Sequence, residues 1–162
     1  MKWIEEFLKD RWQHVAVEGV MSGDSPVRSG VPQGLVLGPF LFLVHIGDMT
    51  DVTRHSRVSS FADDTRLLKQ IKSIEDCNLL QQDLKEIYEW AKQTNMFFNG
   101  SKFVLLRYSA SGDVIDYTYA SSENSPIPEE DRTTDLGVIM SKSVNFKDHI
   151  ADVAARGRQR VG

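Results

Sequence analysis

The stretch from Ser73 to Asn95 limits what the rest of the chain can be. Ser73-Ile74-Glu75-Asp76 has the form of a capping box, in which a hydroxyl and a carboxylate three residues on satisfy each other's free backbone N–H groups. Ile74, Cys77, Leu80, Leu84, Ile87 and Ala91 follow at steps of three and four, so they share one face of a helix ending near Asn95. A long helix with one apolar face is stable only when that face is covered. The short strand candidates around it supply the cover, and the expected fold class is α+β.

Met1–Arg11 has Trp3, Ile4, Phe7 and Leu8 at helical spacing. Gln13–Met21 alternates around Val15 and Val17, Gly23-Asp24 offers a turn, and Ser25–Arg28 returns, which predicts a β-hairpin. Ser29–Gly34 is a loop by composition. Pro39 suits the first turn of a helix over Pro39–Met49, which is apolar nearly all round and expected to be buried on most sides. His45 inside it reads as a packed core histidine. Val58–Phe61 and Thr65–Lys69 read as strands flanking Ala62-Asp63-Asp64. Phe103–Tyr108, Tyr117–Tyr119 within a polar stretch, and the alternating Thr134–Met140 are further strand candidates, and Asn145–Val161 is helical by spacing.

The most apolar run, Leu35–Ile46, is short of the roughly 20 residues that span a bilayer, and Met1–Asp10 lacks a secretory pattern. One cysteine, Cys77, rules out an internal disulfide framework and a cysteine-rich zinc site. It is read as core, and the usage fits a reducing intracellular compartment, cytosol or nucleus. The net charge of −4 sits poorly with a chain that would grip nucleic acid alone. Asp113, Asp116, Glu123, Glu129, Glu130, Asp131 and Asp135 cluster, and only Arg156, Arg158 and Arg160 make a strongly basic end.

Phe61-Ala62-Asp63-Asp64 carries the chemistry. Two adjacent carboxylates at the tip of a tight hairpin can be buried together only against a strong compensating charge. A divalent cation supplies it, and Mg²⁺ favours a few carboxylates with water and substrate phosphates. Two such ions about 4 Å apart are the general device for in-line phosphoryl displacement. An isolated Asp-Asp pair is most often a polar turn, so the weight comes from its neighbours.

Ser29-Gly30-Val31-Pro32-Gln33-Gly34, with Val36-Leu37-Gly38-Pro39 and Leu41-Phe42-Leu43, resembles the B motif of non-LTR retrotransposon reverse transcriptases. Phe61-Ala62-Asp63-Asp64-Thr65 is similar to their catalytic C motif. Trp90-Ala91, Met96, Phe98-Asn99 and Lys102 resemble their D region, and Asp135-Leu136-Gly137-Val138 with His149-Ile150 resembles the following block. The order holds from about Trp3 to Ile150, and jockey-like elements are the subgroup most resembled.

The resemblance implies a partial polymerase palm over residues 1–140, an antiparallel sheet packed by helices, with the start of the thumb over 141–162. It implies that Asp63 is the principal ligand of Mg²⁺ or Mn²⁺, with Asp64 beside it. Phe61 would pack near the primer terminus, Gln33 and Gly34 against the incoming nucleotide and template, and Lys102 near the pyrophosphate as a charge or proton donor. An RNA template, a DNA primer and a dNTP are the implied partners of the complete polymerase, and the cation is expected only there.

The family's third aspartate belongs to an A motif upstream of the B motif. Before Ser29 the only aspartates are Asp10 and Asp24, neither in an apolar strand followed by a helix. The expectation is therefore a fragment without A motif or fingers, inactive alone and prone to self-association. Leu35, His45, Gly47, Thr94 and Phe103 depart from the family's usual residues. A non-enzymatic remnant serving as an interaction or structural domain is the alternative.

Overall fold

The computed structural model of the protein describes residues 2–109, 112–121 and 124–161; Ser122 and Glu123 of the expected polar stretch lie outside them. The chain divides into two compact units, Met1–Asp48 and Met49–Gly162.

In the first unit, helix α1 (Lys2–Leu8) stacks Trp3 on Phe7, ring centroids 5.7 Å apart, but buries none of its residues. Strands β1 (Trp12–Gln13), β2 (Ala16–Val17), β3 (Val20–Met21) and β4 (Ser25–Pro26) form the predicted hairpin with a different turn. β2 pairs with β3 and β1 with β4, so the chain reverses at Glu18-Gly19 and not at Gly23-Asp24. Glu18 and Gly19 have φ of +49° and +81°. Positive φ at both central residues gives a two-residue turn whose twist suits antiparallel strands.

Helix α2 (Leu37–Ile46) runs into a 3₁₀ turn over Gly47–Asp51 and holds Pro39 in its first turn, as expected. Its burial is not as expected. Only Gly38 and Ile46 are buried, while Phe40, Leu43, Val44 and His45 are exposed, so His45 is no core residue. A helix apolar all round needs cover on every side, and its own unit offers a seven-residue helix and two-residue strands.

In the second unit, β5 (Arg57–Phe61) and β6 (Asp64–Leu68) pair antiparallel from Arg57↔Leu68 to Phe61↔Asp64. Helix α3 (Ile74–Gln93) opens on the predicted box: Asp76 N–H donates to Ser73 Oγ at 3.3 Å, and Ser73 N–H to Asp76 Oδ2 at 3.1 Å. It closes at Asn95, whose φ is +55°, with Asn95 N–H bonded to Lys92 O and Met96 N–H to Ala91 O. That pair of bonds is a Schellman cap. Of the predicted apolar face, Cys77, Ile87 and Ala91 are buried, Leu80 and Leu84 are half-buried and Ile74 is exposed; Trp90, Met49 and Tyr119 are also buried. Gln81 pairs its side-chain amide with the backbone of Ala120, accepting from N–H at 2.7 Å and donating to the carbonyl at 3.0 Å.

Thr134–Met140 is not one alternating strand. It is split between β7 (Arg132–Asp135) and β8 (Val138–Ser141), which pair across Leu136-Gly137 at φ +47° and +80°. The Phe103–Tyr108 candidate reduces to a bridge between Leu105 and Glu129, and Tyr117–Tyr119 gives way to one between Ala120 and Pro126. Helix α4 (Lys147–Val161) forms as predicted, with Ile150 and Val153, and Phe146 just before it, exposed. The content is α+β, but the described strands make four separate antiparallel pairs and no continuous sheet. Among the described residues no helix is long and apolar enough to cross a membrane.

Candidate active site

The β5–β6 hairpin puts Phe61, Asp63 and Asp64 at one tip. Phe61 pairs with Asp64 as the last rung, and Ala62-Asp63 is the two-residue turn, with Ala62 at φ +50°. Phe61, Asp63 and Asp64 are all exposed. Burial of the two carboxylates, which would have demanded a counter-charge, therefore does not arise in this structure. Neither takes part in a hydrogen bond or ion pair among the described residues. Both remain available to an incoming group.

Lys102 is placed by aromatic packing. Tyr88 of α3 meets Phe98 and Phe103 at centroid distances of 5.9 and 5.6 Å, and Phe98 meets Phe103 edge-on at 5.9 Å. Between these rings, Asn99 caps a short 3₁₀ turn over Gly100–Lys102 by accepting from Ser101 N–H at 3.1 Å. Lys102 is exposed at its end and makes no ion pair with Asp63 or Asp64. Phe103 and Thr94, two departures from the family pattern, both have structural work. Phe103 completes the aromatic group, and Thr94 Oγ1 donates to Trp90 O at 2.9 Å at the end of α3.

Gln33 and Gly34 lie exposed in the loop of the first unit. Arg11 Nη2 donates to Gly30 O at 2.5 Å, and a β-carbon on Gly38 would stand 2.7 Å from Pro32 O. The start of α2 is thus packed against the loop backbone. An added β-carbon on Gly34 would meet nothing within 4 Å, so it is its φ of +80°, and not a close approach, that calls for glycine there.

Three acids of the acidic stretch pair with bases of the fold. Asp135 Oδ2 lies 2.8 Å from Arg66 Nε and Glu129 Oε2 lies 2.9 Å from Arg107 Nε, both charge contacts without an aligned hydrogen bond. Asp131 pairs with Lys142. Three of the acids that weighed against nucleic-acid binding are therefore partnered with bases of the same unit.

One buried charge is not among the residues that the sequence motifs single out. Asp83, on α3, is buried and hydrogen-bonded to the residues that lead into β5. The signal is present all the same: Leu80 stands three residues before it and Ile87 four after, so it falls on the apolar face.

The geometry offers an exposed carboxylate turn at the tip of a paired hairpin, followed by a capped helix. Residues 1–146 match the reverse transcriptase (RNA-dependent DNA polymerase) family, and the chain belongs to it. Over 98% of its length it is 30% identical to the RNA-directed DNA polymerase from mobile element jockey of Drosophila melanogaster. It is 28% identical, over 98% of the chain in each case, to the probable RNA-directed DNA polymerase from transposon X-element of the same fly and to the jockey polymerase of Drosophila funebris. The chain spans 18% of the length of each of these relatives. No solved structure matches it.

Proposed function

We propose that the chain is part of an RNA-directed DNA polymerase and carries the carboxylate turn at which a dNTP is joined to a primer 3′-hydroxyl on an RNA template. What supports this most is the placement of Asp63 and Asp64, exposed at one hairpin tip and without a side-chain partner among the described residues, in a chain of the reverse transcriptase family. In this reading β5, β6 and α3 belong to a polymerase palm and α4 begins a thumb.

The donor set fits a hard divalent cation, Mg²⁺ or Mn²⁺, because it offers carboxylate oxygens and no nitrogen or sulfur. Asp63 would be the principal ligand and Asp64 the second. When bound, such a cation supplies positive charge for attack by the primer hydroxyl and departure of pyrophosphate. Phe61, 64% exposed, offers a ring face to the primer terminus. Gln33 and Gly34 bind along the nucleotide and template, and Lys102 holds a charge or a proton for the leaving phosphates. Among the described residues no group of three or more His, Cys, Asp or Glu is placed to hold a metal. Two carboxylates from one hairpin are expected to hold such a cation weakly.

Extension of an oligo(dT) primer on poly(A) tests the reading. The chain alone is expected to give none. Addition of a fingers-plus-A-motif segment from a jockey-type polymerase is expected to give extension that Asp63→Ala abolishes. Extension unaffected by Asp63→Ala would remove Asp63 from the site. Among the described residues the β5–β6 hairpin pairs with no third strand, and that edge with exposed Phe61 favours self-association. Sedimentation velocity over a concentration series should show it, and a monodisperse monomer throughout would contradict it.

A further inference from the structure

Asp83 is 1% exposed, and its carboxylate accepts four hydrogen bonds from three successive residues. Arg54 N–H reaches Oδ1 at 3.0 Å. His55 N–H at 2.8 Å, Ser56 N–H at 2.6 Å and Ser56 Oγ at 2.6 Å reach Oδ2. Burial pushes this carboxyl up, but the bonds from Arg54, Ser56 and His55 outweigh it and hold the group below the usual aspartate range. A charge placed on the apolar face of a helix is tolerated only when its geometry is well satisfied. Here the partners are consecutive backbone groups, so the carboxylate fixes the path of one stretch of chain.

That stretch leads straight to the tip. Ser56 precedes β5, whose five residues all pair with β6 and end at Phe61. At the other end, Lys69 follows β6, donates to His55 O at 3.1 Å and lies 3.5 Å from Asp76 Oδ1 in the first turn of α3. Both feet of the hairpin are therefore tied to α3 or to the segment that α3 holds. The tip has no side-chain hydrogen bond or ion pair among the described residues. A strand rises about 3.3 Å per residue, so a small tilt at the feet becomes a larger displacement of the carboxylates.

We propose that Asp83 is a positioning residue: through its bonds to Arg54, His55 and Ser56, helix α3 sets the stance of the β5–β6 hairpin and so aims Asp63 and Asp64. The proposal rests on reading those two carboxylates as cation ligands, and its test separates the two ideas. The probe is MnCl₂ titrated into the ¹⁵N-labelled chain, read as paramagnetic broadening of the Asp63 and Asp64 amide signals. The unaltered chain should show broadening centred on these two residues. In Asp83→Asn, which keeps the volume but loses the charge, the Mn²⁺ concentration for half-broadening should rise roughly tenfold. The helical circular dichroism and the β7–β8 amide signals should stay as they were. Ser56→Ala, which removes only the hydroxyl bond, should raise that concentration about threefold.

An unchanged half-broadening concentration in a folded Asp83→Asn would reduce Asp83 to a structural role and overturn the proposal. If Asp83→Asn loses its helical signal, Ser56→Ala decides in the same way. Absence of broadening in the unaltered chain would defeat the cation-ligand reading before any variant is compared, and the proposal with it.

Discussion

Met1–Asp48 and Met49–Gly162 contain the same kinds of apolar side chain and bury them very differently. Trp3, Trp12 and Phe40 are 63%, 64% and 58% exposed, whereas Trp90, Ile87 and Cys77 are 6%, 3% and 1% exposed. The contrast follows from the helices. Helix α3 is polar on one side, so cover on the other suffices. Helix α2 is apolar all round, and cover on one side leaves Phe40, Leu43 and Val44 in solvent. Apolar content alone does not make a core, because the apolar groups must face surfaces that exist.

The sharpest break of this contrast is a pair of truncations. Trp90→Ala should lose about 3–5 kcal/mol, and Trp3→Ala should stay within about 0.5 kcal/mol, each by urea unfolding followed at amide signals of the unit that holds the altered residue. Comparable losses would mean that the first unit has a core of its own. A smaller effect is expected at Gly38, where a β-carbon would stand 2.7 Å from the Pro32 carbonyl oxygen. Gly38→Ala should cost about 1–3 kcal/mol and shift the amide signals of Gly30 and Gly34, while Gly47→Ala, with nothing within 4 Å of its added carbon, should leave them in place. Unmoved signals in Gly38→Ala would show that the loop does not pack on the helix start.

The smallest expected effect depends on pH and belongs to the second unit. The Asp83 carboxyl is held below its ordinary value of 3.8 in the folded chain. Its contribution is complete above that value and is lost as pH falls through the lower folded value. Thermal melts at a series of pH values should show stability falling on the acid side, and Asp83→Asn should flatten that part of the profile. An identical slope in the variant would assign the acid loss to other carboxylates.

Signals in the sequence are reliable where the chemistry behind them is local. The Ser73–Asp76 box, the end of α3 at Asn95 and the β5–β6 hairpin all depend on residues a few positions apart. The first hairpin turns elsewhere than predicted because Gly23-Asp24 has strong turn composition, while Glu18-Gly19 carries one residue that seldom adopts positive φ. Thr134–Met140 conceals a reversal for the same reason, since Leu136 is an unusual turn residue. Of the candidate site, Phe61, Asp63 and Asp64 are legible as a unit because a hairpin brings neighbours together. Lys102 depends on the Tyr88, Phe98 and Phe103 rings, and the Asp83 bonds join residues 27 to 29 positions apart. No periodicity encodes such a pairing, although an aspartate on an apolar face announces that some partner must exist.

Helix α3 also has a consequence for how genes of this kind can change length. Along it lie the Ser73 cap, Cys77, Gln81, Asp83 and Tyr88, each engaged with a different part of the second unit. One inserted codon between Ser73 and Cys77 would turn every later side chain by about 100° around the helix axis. The core contacts, the Ala120 pairing, the hold on Arg54–Ser56 and the aromatic group would be lost together, in a protein still translated in frame. A codon added in the exposed Gly112–Val114 stretch lies outside any helix and turns no such set of side chains about an axis. Across a library of single-codon insertions, the helix should be a continuous gap between tolerated sites.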